Sequence, residues 1–286
     1  MLATLHEWHE AGVWERLYQC LLQHLREYDQ IDWSRCSIDG ATVASPRGGQ
    51  KTGPNPTDRG KLSSKRHLVV DRQGIPLAVT VSGANTHDSM VFESTLDVMP
   101  SVPGLPGRPA WRPVKLHADK GYDYRRCRAY LRRRGIQSRI ARRGVESREK
   151  LGRHRWVVER THAWFAGSAK LRIRFERRLD IHYSRLKIAC AVICIRFIER
   201  QCRGFGVRSY YAVCGSLTKL NGDRLRYEIS SFSNTWISCR ADVAFRFYSD
   251  FATIDKYLFE RLADQAMTSS DVPHGVQVFE SATACV

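Results

Sequence analysis

Three carboxylates, Asp39, Asp119 and Glu159, are the residues of this chain whose types and setting could do chemistry. Asp39 lies inside a strand candidate, Ser37 to Val43. Aspartate is depleted in strands, so its presence there asks for a reason. Asp119 follows the strand candidate Val114 to Ala118 and opens the turn Asp119-Lys120-Gly121-Tyr122-Asp123. The carboxyl end of a strand is where open α/β sheets hold their ligands. Glu159 belongs to the stretch from Arg153 to Phe165. Oxygen donors with no cysteine and no obligatory histidine among them suit Mg2+ or Mn2+, ions that keep several waters and take further ligands from phosphate. Two such ions about 3.5 to 4 Å apart can activate a nucleophile and stabilise the leaving oxygen of an in-line phosphoryl displacement. That is nuclease or strand-transfer chemistry, provided the fold brings the three together.

The glutamate has the clearest mounting. Val157, Val158, Thr161, Trp164 and Phe165 recur at the spacing of a helix packed on a core, and Arg155, Glu159 and His162 fall on the opposite face. Arg155 and Glu159 stand four apart and can pair. An exposed pair of that kind contributes only about 0 to 1 kcal/mol, so by itself it is a surface salt bridge.

The elements upstream decide whether the aspartates join it. Residues 2–27 carry Val13, Leu17, Leu21 and Leu25 on one helical face and begin almost at Met1 without a capping sequence, as a cut through a longer protein or a naturally short start would. A loop rich in proline, glycine and base runs from Ser45 to Arg66, with Arg47, Lys51, Arg59, Lys61 and Lys65. It is expected to be mobile and to contact a nucleic-acid backbone. Its Gly48-Gly49-Gln50-Lys51-Thr52 lacks the spacing of a phosphate-binding loop. His67 to Asp71 and Leu77 to Ser82 form a hairpin, a helix is expected over Asp88 to Val98, and five of the ten prolines between Pro100 and Pro113 mark an exposed connection. A basic helix over 124–134, a strand from Ile136 to Ile140 and a buried helix from Ile181 to Phe197 complete the order. This order predicts an α/β fold, a mixed sheet flanked by helices. If the first and fourth strands are neighbours, about 4.8 Å apart, Asp39 and Asp119 share one pole of the sheet. Beyond residue 200 no period is sustained, which fits a small appended domain or sequence read through from outside the original gene.

Charge points the same way. The formal net charge is +17, and residues 120–178 hold 20 Lys and Arg against 5 Asp and Glu, whereas residues 201–286 hold 9 of each. A local excess around the glutamate helix suits a polyphosphate partner. Nine cysteines without paired ligand spacing argue against a zinc site or disulfide framework and fit a reducing compartment. The N-terminal residues lack the apolar core of a signal peptide, and the most apolar run, Ile188 to Ile195, is far short of the roughly 20 residues that span a bilayer. A cytoplasmic, nucleoid-associated protein with no membrane contact is expected.

Ser37-Ile38-Asp39-Gly40, His117-Ala118-Asp119-Lys120-Gly121-Tyr122-Asp123 and Arg155-Trp156-Val157-Val158-Glu159-Arg160-Thr161 closely resemble the three acidic motifs of bacterial insertion-sequence transposases of the Asp-Asp-Glu class. Pro46-Arg47-Gly48-Gly49, Lys51-Thr52-Gly53-Pro54 and Leu171 to Arg178 are also similar to that family, and the resemblance covers about residues 5–200. It implies a ribonuclease H-like mixed sheet flanked by helices, with Asp39, Asp119 and Glu159 as catalytic metal ligands for Mg2+ or Mn2+, two ions in all. It further implies cleavage at insertion-sequence ends with strand transfer into target DNA, and a homodimer when active. Arg155 matches an arginine that contacts DNA in the family. With it, Arg160, Lys120, Lys65, Arg125, Arg126 and Arg132 are the expected DNA-binding residues.

Some positions depart from the family pattern. Gly152 stands where a tyrosine is expected, and Ala166 where a lysine or arginine is expected seven after the glutamate. The corresponding division of the chain is a helical remnant of an N-terminal DNA-binding region over 1–30, a catalytic domain over 31–200 and an extension of unknown role over 201–286. The alternative is a truncated, catalytically inactive remnant that only binds double-stranded DNA.

Overall fold

The structure, a computed structural model, describes residues 2–145 and 148–204 together with a short pair of strands at Leu217–Thr218 and Arg226–Tyr227. The expectations for residues 205–286 otherwise lie outside the described residues.

The N-terminal helix is two helices, α1 (Leu2–Glu10) and α2 (Val13–Glu27). Gly12 separates them with φ +69°, a left-handed conformation that glycine adopts without steric cost. The predicted stripe of α2 is buried, with Trp14, Tyr18 and Leu22 beside it. α2 packs along the last helix, and both belong to one hydrophobic core with the sheet.

The sheet is built from β1 (Cys36–Ala44), β2 (Gly53–Pro54), β3 (Leu62–Val70), β4 (Pro76–Gly83), β5 (Lys115–Ala118) and β6 (Gln137–Ile140). β1 lies in the middle. It pairs antiparallel with β3, from Ser37 opposite Val70 to Ala44 opposite Ser63, and parallel with β5. β4 and the short β2 both line the far edge of β3, and β6 pairs parallel with β5. The spatial order β4-β3-β1-β5-β6 is the ribonuclease H-like mixed sheet. A turn built on Asp71 closes the β3–β4 hairpin: Oδ1 accepts from the backbone N–H groups of Gln73, Gly74 and Ile75, each at 2.8 Å, and Oδ2 from that of Asp32 at 2.9 Å.

The helices that cover the sheet are α3 (Phe92–Asp97), α4 (Arg125–Arg133), α5 (Arg148–Gly167), the short α6 (Ala169–Arg172) and α7 (Leu179–Gly204). The helix expected over 88–98 is shorter, because a single 3-10 turn, Asp88–Met90, precedes α3. His87 caps that turn by accepting from Ser89 N–H at 3.3 Å. In α7 every residue from Ile188 to Ile195 is buried, as a helix apolar on all sides requires, and each large side chain so buried stabilises the fold by about 1.5–3 kcal/mol. No helix among the described residues is long and apolar enough to cross a membrane.

Candidate active site

The parallel register of β1 and β5 sets Cys36 opposite Leu116 and Ser37 opposite His117. Continued two residues further, it brings Asp39 level with Asp119, the first residue beyond β5. Asp119 has extended backbone, and its Oδ1 accepts from Gly121 N–H at 2.8 Å, capping the single turn Lys120–Tyr122. The capping bond fixes that carboxylate at the pole of the sheet.

α5 packs across β1, β3 and β5. Val157, Val158, Thr161 and Phe165 are buried as the stripe predicts, and Thr161 Oγ1 donates to the Gly74 carbonyl at 2.9 Å. The opposite face is less exposed than the spacing implies. Arg155 is 16% exposed, and its Nη2 lies 3.4 Å from Asp39 Oδ2 and 3.8 Å from Glu159 Oε1. Glu159 itself is 56% exposed, toward solvent and any incoming ligand. His162, on the same face as Glu159 in the sequence, is half-buried, and desolvation pushes its pKa down to about 4 against an opposing influence of the Asp39 backbone. It is held as a neutral group.

Burial pushes the Asp39 carboxyl up to about 6; the Arg155 guanidinium and the Gly40 N–H oppose the rise, and Asp119 and Glu159 add to it. Asp39 thus feels both other carboxylates, and Arg155 supplies the compensating charge. Among the described residues no group of three His, Cys, Asp or Glu side chains is close enough to form a finished metal cage. The donor set nevertheless suits a hard divalent ion, because three carboxylates exceed the single guanidinium between two of them.

The basic residues singled out in the sequence divide into two groups. Arg125 and Arg132 are exposed on α4, and Lys120 sits in the turn after Asp119, where its carbonyl accepts from Arg143 Nε at 3.1 Å. Lys65, Arg126 and Arg160 are engaged within the fold. Lys65 Nζ lies 2.9 Å from Asp88 Oδ1 and donates to the Thr86 carbonyl at 3.0 Å. Arg126 Nε lies 3.2 Å from Glu93, and its Nη2 donates to the Ser89 carbonyl. Arg160 donates to the Gln73 carbonyl and lies 4.5 Å and 4.7 Å from the ring centroids of Trp156 and Trp164.

Two residues at this pole escape sequence reasoning. Asp88 Oδ1 lies 3.0 Å from where a side chain at Gly40 would begin, so the carboxylate fills that space on the face of β1 opposite Asp39. Tyr122 is buried, and burial raises its hydroxyl pKa, with Asp88, Asp39 and Asp119 adding to the shift. The one signal available was Gly40 itself, a glycine inside a strand that marks close approach by another group.

An aspartate within the central strand, level with a second just beyond the adjacent parallel strand, and a glutamate on the helix that crosses them are the arrangement expected of a polynucleotidyl-transferase type of catalytic domain. Residues 32–194 match the family described as Transposase DDE domain, and the chain belongs to that family. The transposase assigned to insertion sequence element IS402 of Burkholderia cepacia is 50% identical over 153 residues, which cover 54% of this chain and 72% of that protein. A 16.2 kDa protein of the same element is 46% identical over 52 residues, 18% of this chain and 35% of that protein. The chain is therefore a DNA transposase, of an enzyme class with nuclease and strand-transfer activity. Among solved structures, the catalytic core of BIV integrase aligns with a TM-score of 0.30 and 12% identity over 54% of this chain and 81% of that one. The catalytic domain of Mos1 mariner transposase aligns with a TM-score of 0.26 and 12% identity over 64% and 93%. Overlap this slight says nothing of the site.

Proposed function

We propose that Asp39, Asp119 and Glu159 are the metal ligands of this transposase, and that the chain nicks DNA at the ends of its insertion sequence and joins the freed 3′-hydroxyl to target DNA. The observation that supports this reading is the parallel register that brings Asp39 level with Asp119, with one Arg155 nitrogen 3.4 Å from Asp39 and 3.8 Å from Glu159. Transposases of this family generally use divalent ions, and Mg2+ or Mn2+, as a pair, would activate the attacking oxygen and stabilise the leaving one. Asp39 and Asp119 would hold their ions from the rigid sheet. Glu159, more exposed and on a helix, would complete the set once DNA phosphate is present. Arg125 and Arg132, exposed on α4, would grip phosphates, with Lys120 in the turn beside Asp119, and Arg155, Lys65, Arg126 and Arg160 would first have to release their present partners. Residues 31–200 would be the catalytic unit, acting as a homodimer on double-stranded DNA in the nucleoid.

Mn2+ titration followed by electron paramagnetic resonance tests the ligand set. Saturable binding is expected in the wild type, with Asp39→Asn and Asp119→Asn each weakening it at least tenfold. Equal affinity in all three proteins would remove the aspartates from the metal site. An inactive DNA-binding remnant is the competing reading, favoured by the departure at Ala166; it predicts DNA binding without cleavage.

A further inference from the structure

Two stretches that the carboxylates leave unused, Pro46 to Pro54 and Leu171 to Arg178, are a single built unit. Arg174 N–H donates to the Ala44 carbonyl at 2.8 Å, Gln50 N–H to the Arg177 carbonyl at 3.1 Å, and Leu179 N–H to Gln50 Oε1 at 3.1 Å. The Arg174 side chain is wholly buried between the two stretches. Its Nη1 donates to Ser64 Oγ at 2.6 Å and to the Lys51 carbonyl at 3.4 Å, and its Nε to the Glu176 carbonyl at 3.0 Å. Gly49 has φ +118°, and a Cβ there would overlap the main chain of Arg177. The loop expected to be mobile is pinned at this end.

On that mount Phe175 stands 51% exposed, with the Arg47 guanidinium 5.7 Å from its ring centroid. Lys51, Arg172 and Arg177 are also exposed on the same two stretches. A lone exposed phenylalanine is ordinary. A phenylalanine on a rigid support beside the Arg47 guanidinium, on stretches that expose further cations, is poorly suited to an apolar protein partner, which would have to desolvate those charges. Phosphates match the cations, and the flat face of a base matches the ring. The distance to the candidate active site is also set by the fold. Ala44, which anchors Arg174, lies five residues beyond Asp39 on β1, about 17 Å at the rise of an extended strand. A DNA strand advances about 3.4 Å per nucleotide, so this span corresponds to about five nucleotides.

We propose that Phe175 stacks against a base of the bound DNA about five nucleotides from the cleaved phosphate, with Arg47, Lys51 and Arg177 on the neighbouring phosphates. The inference rests on the reading of the three carboxylates as the cutting site, since the distance is counted from Asp39. It is tested with the full chain and duplexes carrying the inverted repeats that flank its gene, with 2-aminopurine placed at successive positions from the cleaved phosphate and no divalent ion added. Wild type should raise the fluorescence several-fold at one position about five nucleotides away. Phe175→Ala should abolish that rise, and Phe175→Tyr, which keeps a ring, should restore it. Arg47→Ala should weaken binding and flatten its salt dependence by about one counterion. If wild type binds the DNA, and nicks it once Mn2+ is added, but no position brightens, or if the rise survives in Phe175→Ala, the stacking contact is wrong while the cutting site stands. If wild type binds no such DNA, both fail.

Discussion

One nitrogen of Arg155 lies 3.4 Å from Asp39 and 3.8 Å from Glu159, so a single guanidinium spans the strand and the helix that a metal ion is proposed to bridge. It stabilises the arrangement before an ion arrives and competes with one for the same oxygens. Arg155→Ala should therefore tighten Mn2+ binding by about tenfold, a change of about 1.4 kcal/mol, while slowing DNA cleavage. Calorimetry of Mn2+ binding beside a nicking assay separates the two effects. Weaker Mn2+ binding in the variant would show that Arg155 holds the ligands in place and does not compete with the ion.

Asp39 is strained in a thermodynamic sense. Its carboxyl is raised from 3.8 to about 6, so the folded protein loses stability as pH rises through that interval and the buried group ionises. At pH 8 Asp39→Asn should be more stable than wild type by about 1–3 kcal/mol in urea unfolding without metal, and the difference should shrink by about half near pH 5 and vanish only below about pH 4. A variant less stable than wild type at pH 8 would mean that the Arg155 contact outweighs the burial.

Acid should unfold the protein through its histidines. Burial lowers His67 and His162 to about 4 and His182 to about 2, so near pH 5 the unfolded chain binds about three more protons at these sites, whereas the folded chain binds about two more at Asp39 and Asp71, raised to about 6 and 7. The difference, about one proton, makes stability fall by about 1.4 kcal/mol per pH unit below pH 6. Asp39→Asn should steepen the slope to about 2.7 kcal/mol per unit. Urea midpoints between pH 6 and 4.5 check both, and parallel slopes would contradict the assignment.

Arg174 is a wholly buried charge with its donors committed to Ser64, Lys51 and Glu176. Arg174→Ala leaves those neutral acceptors without their donor, at about 1–3 kcal/mol for each one left buried and unpaired, and should destabilise the protein by at least about 2 kcal/mol. Hydrogen exchange should then rise across residues 46–54. Unchanged exchange there would separate the loop from the arginine.

Much of the fold was legible because its signals are local. The stripe of Val157, Val158, Thr161 and Phe165, the strand around Asp39 and the strand ending at Ala118 each depend on a few adjacent residues. The three carboxylates could be named from these elements and from motif resemblance. What stayed hidden depends on contacts between distant segments. The engagement of Lys65 by Asp88, the influence of the Asp39 backbone on His162 and the pinning of Gly49 by Arg177 join residues with no sequence spacing to betray them. The same holds for the one-helix reading of residues 2–27, where a single glycine in the left-handed region outweighs a continuous apolar stripe.

The most direct test of the central claim is a nicking and strand-transfer assay on DNA with the element's own ends, in Mn2+ or Mg2+, comparing wild type with Glu159→Gln. The carboxylate reading predicts metal-dependent nicks and joined products in the wild type, and their loss in Glu159→Gln while DNA binding persists. Binding without cleavage by the wild type, or cleavage that survives in Glu159→Gln, would contradict it.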